Sequence, residues 1–245
     1  MDRGKRLLRI YERLERFFGD LQWWPGESAF EVAVGAILTQ NTNWANVEKA
    51  IGQLKAQGVM EPRALHGLDD ETLANLIRPS GYFRVKTKRL KAFLEVLCGD
   101  FKGDLGLMLS GDLQHARQRL LGISGIGEET ADSMLLYAGG RPVFVVDAYT
   151  RRILTTHGII EGKLPYGEIQ RLFMTHLPRD AGVYNQYHAM IVATGKRFCR
   201  TEPRCGECPL RRIAGRDRDR KTGPVPAEPA AGRRGRATCS SGKKF

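Results

Sequence analysis

The stretch DLQHARQRLLGISGIGEETADSMLLYA (112–138) constrains this chain most: two helical segments joined by a turn with glycines at 122, 125 and 127. Glycine accepts backbone conformations and close approaches that a side chain forbids, so the two helices can fold back through a tight hairpin. The N–H groups of the turn around Gly122, Gly125 and Gly127, and of the first turn of the next helix, then point outward without helical partners and offer a seat for a phosphate oxygen. Taken alone, such a turn is often only a helix connection.

The rest of the chain is also helical in pattern. Residues 5–18 place Leu7, Leu8, Tyr11, Leu14 and Phe18 at helical spacing. SAFEVAVGAILTQNT opens at Ser28 with Glu31 three residues on, the pattern of a capping box. The spacing predicts further helices over 43–56, 70–78, 84–98, 112–121, 130–138, 148–157, 166–176 and 180–197. PVFVVD (142–147) is the best strand candidate, but it is short and isolated. The expected class is all-α.

A chain of 245 residues with 42% hydrophobic content can bury a real core, which excludes disorder throughout. Its net charge of +12 favours an anionic partner, for which nucleic acid is the commonest choice, although such charge also serves solubility or a membrane surface. No apolar run approaches the roughly 20 residues that span a bilayer, and the first residues lack an apolar signal core, so the expectation is a cytoplasmic, nucleoid-associated protein with no membrane partner. After Gly215 the composition turns to Arg, Lys, Pro, Gly and Ala, with nine Lys/Arg against three Asp/Glu. Residues 215–245 therefore read as a basic, disordered tail: either a solvated segment or a sliding arm that adds phosphate affinity.

Five segments, ILTQNT (37–42), RPSGY (78–82), GISGIGEETAD (122–132), VVDAY (145–149) and GKRFC (195–199), together resemble the endonuclease III, or HhH-GPD, superfamily of DNA glycosylases. The resemblance runs over about residues 7–210. It implies a two-lobed helix-hairpin-helix glycosylase fold. Residues 25–141 would form a six-helix barrel carrying the hairpin, residues 1–24 and 142–214 a terminal lobe with the cysteine-rich segment, and double-stranded DNA with a damaged base would lie across the cleft, bound by a monomer.

The reaction gives the residue types their meaning. Breaking an N-glycosidic bond leaves a sugar that is cationic in the transition state, so a carboxylate must lie beside it. The resemblance assigns that carboxylate to Asp147, which would stabilise the sugar's charge and orient or deprotonate the attacking water. An Asp after an apolar run also reads as a helix N-cap, and one residue can serve both ends. Members that nick the strand carry a hairpin Lys that forms a Schiff base with the sugar; Glu129 stands there in this chain. A carboxylate forms no imine, so the resemblance implies a monofunctional glycosylase and leaves the role of Glu129 open.

A narrower resemblance lies in WWP (23–25) and LTQNTNWANVEK (38–49), which are similar to the 3-methyladenine DNA glycosylase branch described from Helicobacter. It implies that Trp23, Trp24, Pro25 and Trp44 hold the flipped base. The physics agrees, because 3-methyladenine is cationic within DNA and flat electron-rich faces attract it. Trp23 and Trp24 read otherwise as core or lobe-interface aromatics. Gln40 and Tyr82 match the residues that fill the gap left by the base, or else act as a helix-end cap and as surface packing.

Most members of the superfamily hold a [4Fe–4S] cluster on four cysteines. Here Cys199, Cys205 and Cys208 remain, the first spacing is one residue short, and the fourth position is Ala214. Three thiolates could hold a cluster completed by a carboxylate, a histidine, water or Cys239; they could also bind zinc, or nothing. The favoured reading is a glycosylase acting on an alkylated purine. The alternatives are removal of mismatched uracil or thymine, or of an oxidised pyrimidine, and, in another class, a non-catalytic helix-hairpin-helix DNA-binding protein.

Overall fold

Polar caps set the helix starts. The computed structural model describes residues 2–21, 23, 26–200 and 202–213 and is helical, with no strand among them. Asp2 caps α1 (Arg3–Phe18), Ser28 caps α2 (Ala29–Leu38) and Asn43 caps α3 (Trp44–Ala56), each side chain accepting a backbone N–H two or three residues into its helix. The capping box at α2 closes one residue early: Ser28 Oγ accepts the Glu31 N–H at 3.1 Å, but Glu31 Oε2 accepts from Glu27 N and is paired with Lys55 of α3 at 2.7 Å. That pairing accounts for a buried glutamate in a helix whose other residues from 30 to 38 are apolar or Gly.

Beyond α3 come α4 (Pro62–Gly67), α5 (Asp70–Leu76), α6 (Phe83–Gly99), α7 (Leu105–Leu109) and α8 (Leu113–Leu121), then α9 (Glu128–Ser133), which runs on as a π turn over Met134–Ala138. The chain closes with α10 (Ala148–Thr156), α11 (Tyr166–His176) and α12 (Ala181–Arg197). Helices α4 and α7 have no counterpart in the sequence reading, because six and five residues are too few to display a period. PVFVVD is not paired as a strand: residues 143–146 run as a buried, non-helical connector between the π turn and α10. Trp24, Pro25, Cys239 and the 215–245 tail lie outside the described residues.

Packing brings α1 against α11 and α12 and α10 against α12, while α2 meets α3, α6, α9 and the π turn. The α10–α12 crossing is close enough that a Cβ on Gly195 would fall 2.2 Å from Tyr149. Phe144 of the connector stacks on Phe173 of α11, ring centroids 3.8 Å apart and nearly parallel.

Asp132 of α9 is completely buried and gathers the elements around it. Arg117 of α8 donates to both carboxylate oxygens, at 2.7 and 3.1 Å, and Gln170 of α11 donates to Asp132 Oδ2 and to the Phe144 carbonyl, both at 2.7 Å. Tyr166 also hydrogen-bonds Asp132, and its hydroxyl accepts the Val146 N–H at 3.2 Å. Burial raises the Asp132 carboxyl above its ordinary range, opposed by Arg117 and then by Tyr166 and Gln170. Removing one member of such a buried pair leaves an uncompensated charge and costs about 3–5 kcal/mol. Arg117→Met is therefore expected to lower unfolding free energy by roughly that amount in urea titration; a loss under about 1 kcal/mol would show that the pair does not hold the hairpin.

Candidate active site

The hairpin forms one wall of an open cleft of about 600 Å³, lined by Gln40, Arg89, residues 125–130, Arg151 and Tyr166. Of its three glycines, only Gly125 needs to be one. It has φ +86°, and a Cβ there would lie 2.2 Å from Arg89 Cγ. Gly122 and Gly127 have φ of −70° and −93°, regions open to any residue. Gly127 begins α9 without a side-chain cap, leaving the start of that helix to face the cleft.

Gln40 is tied into this wall. Its amide nitrogen donates to the Gly125 carbonyl at 3.1 Å and to Thr130 Oγ1 at 2.9 Å, while its oxygen accepts from Arg89. Tyr82, by contrast, is 71% exposed and sits at the start of α6 with φ +46°, a left-handed conformation that costs a non-glycine residue about 1–3 kcal/mol. Both loops hang from one ammonium group. Lys86, almost wholly buried, donates to the Leu38 carbonyl at 2.7 Å, two residues before Gln40, and to the Ser80 carbonyl at 2.6 Å, two residues before Tyr82. Burial, then the charge of Arg89, lowers its pKa to about 8.

Asp147 caps α10. Its Oδ1 accepts the Thr150 N–H at 2.7 Å and the Thr150 hydroxyl at 2.8 Å, and Oδ2 stands 3.6 Å from His188 Nε2. Glu129 faces the cleft on the second residue of α9. Its side chain meets solvent there, yet the cleft walls desolvate it, and together with the negative charge of Asp147, against a pull from Arg151, they push its carboxyl up to about 7.

Neither Trp23 nor Trp44 is on the lining of this cleft. Trp23 interacts with the Tyr137 hydroxyl, which in turn bonds His188 Nδ1 at 2.5 Å, and Lys196 Nζ lies 5.6 Å from its ring centre. Its segment is held to α12 by Gln186, whose amide meets the Leu21 N–H and the Gly19 carbonyl. Trp44 starts α3, lies over Gly35 of α2 and donates from Nε1 to Glu48 at 2.7 Å.

A family model described as HhH-GPD superfamily base excision DNA repair protein matches residues 34–179, well over half the chain. The chain belongs to the HhH-GPD superfamily. It is a base-excision DNA glycosylase of that superfamily. A protein of Methanocaldococcus jannaschii assigned as a DNA repair glycosylase is 44% identical over 207 residues, covering 84% of this chain and 94% of its own. Among solved structures, the 3-methyladenine DNA glycosylase of H. pylori bound to 1,N6-ethenoadenine is 28% identical with TM-score 0.69, over 80% of this chain and 98% of that one. A non-covalent endonuclease III–DNA complex has TM-score 0.74 at 20% identity, over 87% of this chain and 95% of that one, and shares the fold.

The resemblance to the HhH-GPD superfamily implied a cluster on Cys199, Cys205 and Cys208 with a fourth donor such as Cys239, which lies outside the described residues. Cys199 is half-buried, Cys205 exposed and Cys208 buried, and among the described residues no three His, Cys, Asp or Glu side chains gather as a metal ion requires. Packing also holds the segment: Phe198, Leu210 and Ile213 are buried in the common core, the Pro209 carbonyl accepts from Arg13, and the Ile213 carbonyl faces His157 Nδ1 at 3.2 Å.

Lys86, Lys88 and Arg89 follow Tyr82 as a basic run, a pattern that usually marks a solvated face. The structure leaves Lys88 exposed, draws Arg89 to Gln40 and buries Lys86. Periodicity marks the difference, since Lys86 falls on the same face as Leu90, Phe93, Leu94 and Leu97. Lys86→Met strips two buried carbonyls of their donor, a cost of about 1–3 kcal/mol. The expected result is faster amide hydrogen exchange in residues 39–43 and 80–84 together; exchange unchanged in either loop would refute the clamp.

Proposed function

We propose that the chain hydrolyses the N-glycosidic bond of an alkylated purine such as 3-methyladenine in double-stranded DNA, as a monomer and without a Lys-dependent lyase step. The observation that carries this reading is the carboxylate pair: Asp147 and Glu129 lie close enough for one charge to raise the other's pKa, beside a hairpin wall open to a duplex. The likeness to the H. pylori 3-methyladenine glycosylase over nearly all of that chain supports the substrate class. In this reading residues 25–141 and the terminal lobe flank the cleft, the turn around Gly122, Gly125 and Gly127 seats a phosphate, and Tyr82 enters the stack beside Gln40. Trp23, Trp24, Pro25 and Trp44 bind the extruded base.

The two carboxylates divide the work. As the bond to the base breaks, the sugar becomes cationic and the Asp147 carboxylate stabilises it through space. A cationic alkylated purine departs without needing a proton, so a general acid gains little. What remains is the water, and Glu129, titrating near 7, takes its proton as the new C–O bond forms. No amine stands at that position to attack the sugar instead.

Release of free base, read by chromatography from methylated DNA beside a uracil-containing duplex, tests the substrate. Asp147→Asn should keep lesion binding and lose at least ~10²-fold in excision. Equal release of uracil with no 3-methyladenine would move the substrate to the pyrimidines, and full turnover by Asp147→Asn would remove the assignment of the carboxylate.

The role of Glu129 predicts a pH profile. Because the ionised form is the active one and its pKa is raised to about 7, excision should climb with pH through about 7 and then level off. Glu129→Gln should flatten that limb and lower the plateau ~10²-fold. Borohydride should trap no adduct with the parent protein. An unchanged profile in Glu129→Gln, or a trapped adduct, would sink this part of the mechanism.

A further inference from the structure

We infer that His188, held by Tyr137, is a positioning residue that presents its Nε2–H to Asp147 Oδ2 and fixes the carboxylate in the orientation that catalysis uses. The inference rests on Asp147 being the catalytic carboxylate, as proposed above.

His188 lies on α12, 5% exposed, with its ring edge against Phe144 of the connector. Both nitrogens are constrained. Nδ1 meets the Tyr137 hydroxyl at 2.5 Å, and Nε2 makes no hydrogen bond but stands 3.6 Å from Asp147 Oδ2. A buried N–H without a partner is costly and uncommon, so a histidine kept in that state calls for an explanation.

The donor inventory sets the direction of the chain. A carboxylate facing Nε2 can only accept, which places the ring proton on Nε2, so that Nδ1 accepts from the Tyr137 hydroxyl. Burial keeps that tyrosine protonated, far above its usual range. A neutral imidazole that accepts at Nδ1 carries its proton on Nε2, the atom facing Asp147. Burial also lowers the His188 pKa, more than Asp147 can raise it, which keeps the ring neutral. Neutrality matters: an imidazolium would cancel the negative charge the cationic sugar needs, whereas a neutral donor orients Oδ2 and leaves the charge intact.

Two donors hold one Asp147 oxygen, and His188 faces the other. Thr150 N and Oγ1 fix Oδ1 at 2.7 and 2.8 Å, and His188 stands over Oδ2, 3.6 Å away, a separation that catalytic hydrogen bonds often show before substrate is bound. The π turn over Met134–Ala138 carries Tyr137 to His188, and such turns recur at functional sites because they redirect a side chain without ending the helix.

Single-turnover excision on a methylated duplex, with binding measured separately, tests the inference on the full chain. A hydrogen bond to a charged group is worth enough that His188→Leu should slow excision about 10- to 100-fold, with lesion affinity unchanged within about 2-fold. His188→Gln, which keeps an N–H donor, should recover most of the rate, and Tyr137→Phe should lie between. Nitrogen-15 NMR of the histidine ring should report the Nε2–H form. Should His188→Leu not fold, Tyr137→Phe and the NMR tautomer decide alone. His188→Leu at the parent rate, equal loss of binding and turnover, or the Nδ1–H tautomer overturns the inference. Asp147→Asn, run in parallel, separates the failures: if it excises normally the catalytic reading of Asp147 has fallen, and if it is dead while His188→Leu is unimpaired only the positioning role has.

Discussion

One buried carboxylate holds this molecule's site together. Asp132 is completely buried, and the three groups that compensate it come from two other helices: Arg117 from α8, Gln170 and Tyr166 from α11. Two of those partners reach on to the 142–147 connector, at the Phe144 carbonyl and the Val146 N–H. The connector ends at Asp147, and Asp132 shares a helix with Glu129. The relative placement of the two cleft carboxylates is thus set by polar bonds to a third one behind them. Apolar packing alone would leave that placement loose, since Val143, Val145 and Val146 can slide against their neighbours with little change in buried area, while a bidentate guanidinium bond cannot.

The same economy governs Asp147. A helix cap must accept backbone N–H groups, and an electrostatic catalyst must hold a charge near its target; these demands fall on different oxygens. Oδ1 is spent on Thr150, and Oδ2 is left toward His188. Asp147 also contributes to raising Glu129, and one like charge near another in a partly desolvated cleft is a stability cost that a site carries for its chemistry.

Much of the fold was legible in the chain because its signals are local. Ser28, Asn43 and Asp147 announce helix starts, Leu7 and Leu14 lie on the buried face of α1, and the hairpin glycines mark where the chain reverses. What escaped is non-local or short. The PVFVVD run has a strand's composition, but composition does not say whether a pairing partner exists, and here Phe173 and Tyr166 of α11 meet it instead. The burial of Lys86 is not legible in a chain where lysine is so rarely buried, and only the carbonyls of Leu38 and Ser80, 48 and 6 residues away, explain it. His188 and Tyr137, 51 residues apart, carry no mark in sequence that would join them to Asp147.

The cleft's charge raises a last physical point. The chain is strongly basic, with net charge +12, yet the hairpin wall places Glu128 and Glu129 beside backbone suited to a phosphate. Acidic groups there oppose a polyanion, and Arg89 and Arg151 offset them only in part. Such an arrangement is poor for tight binding of undamaged duplex and good for turnover. In the proposed mechanism the carboxylates gain their favourable interaction only when the sugar becomes cationic, so the energy they forgo in the ground state appears in the transition state. A protein that merely held DNA would do better with lysines at these positions, and that difference in where the charge becomes useful separates the enzyme from a binding module.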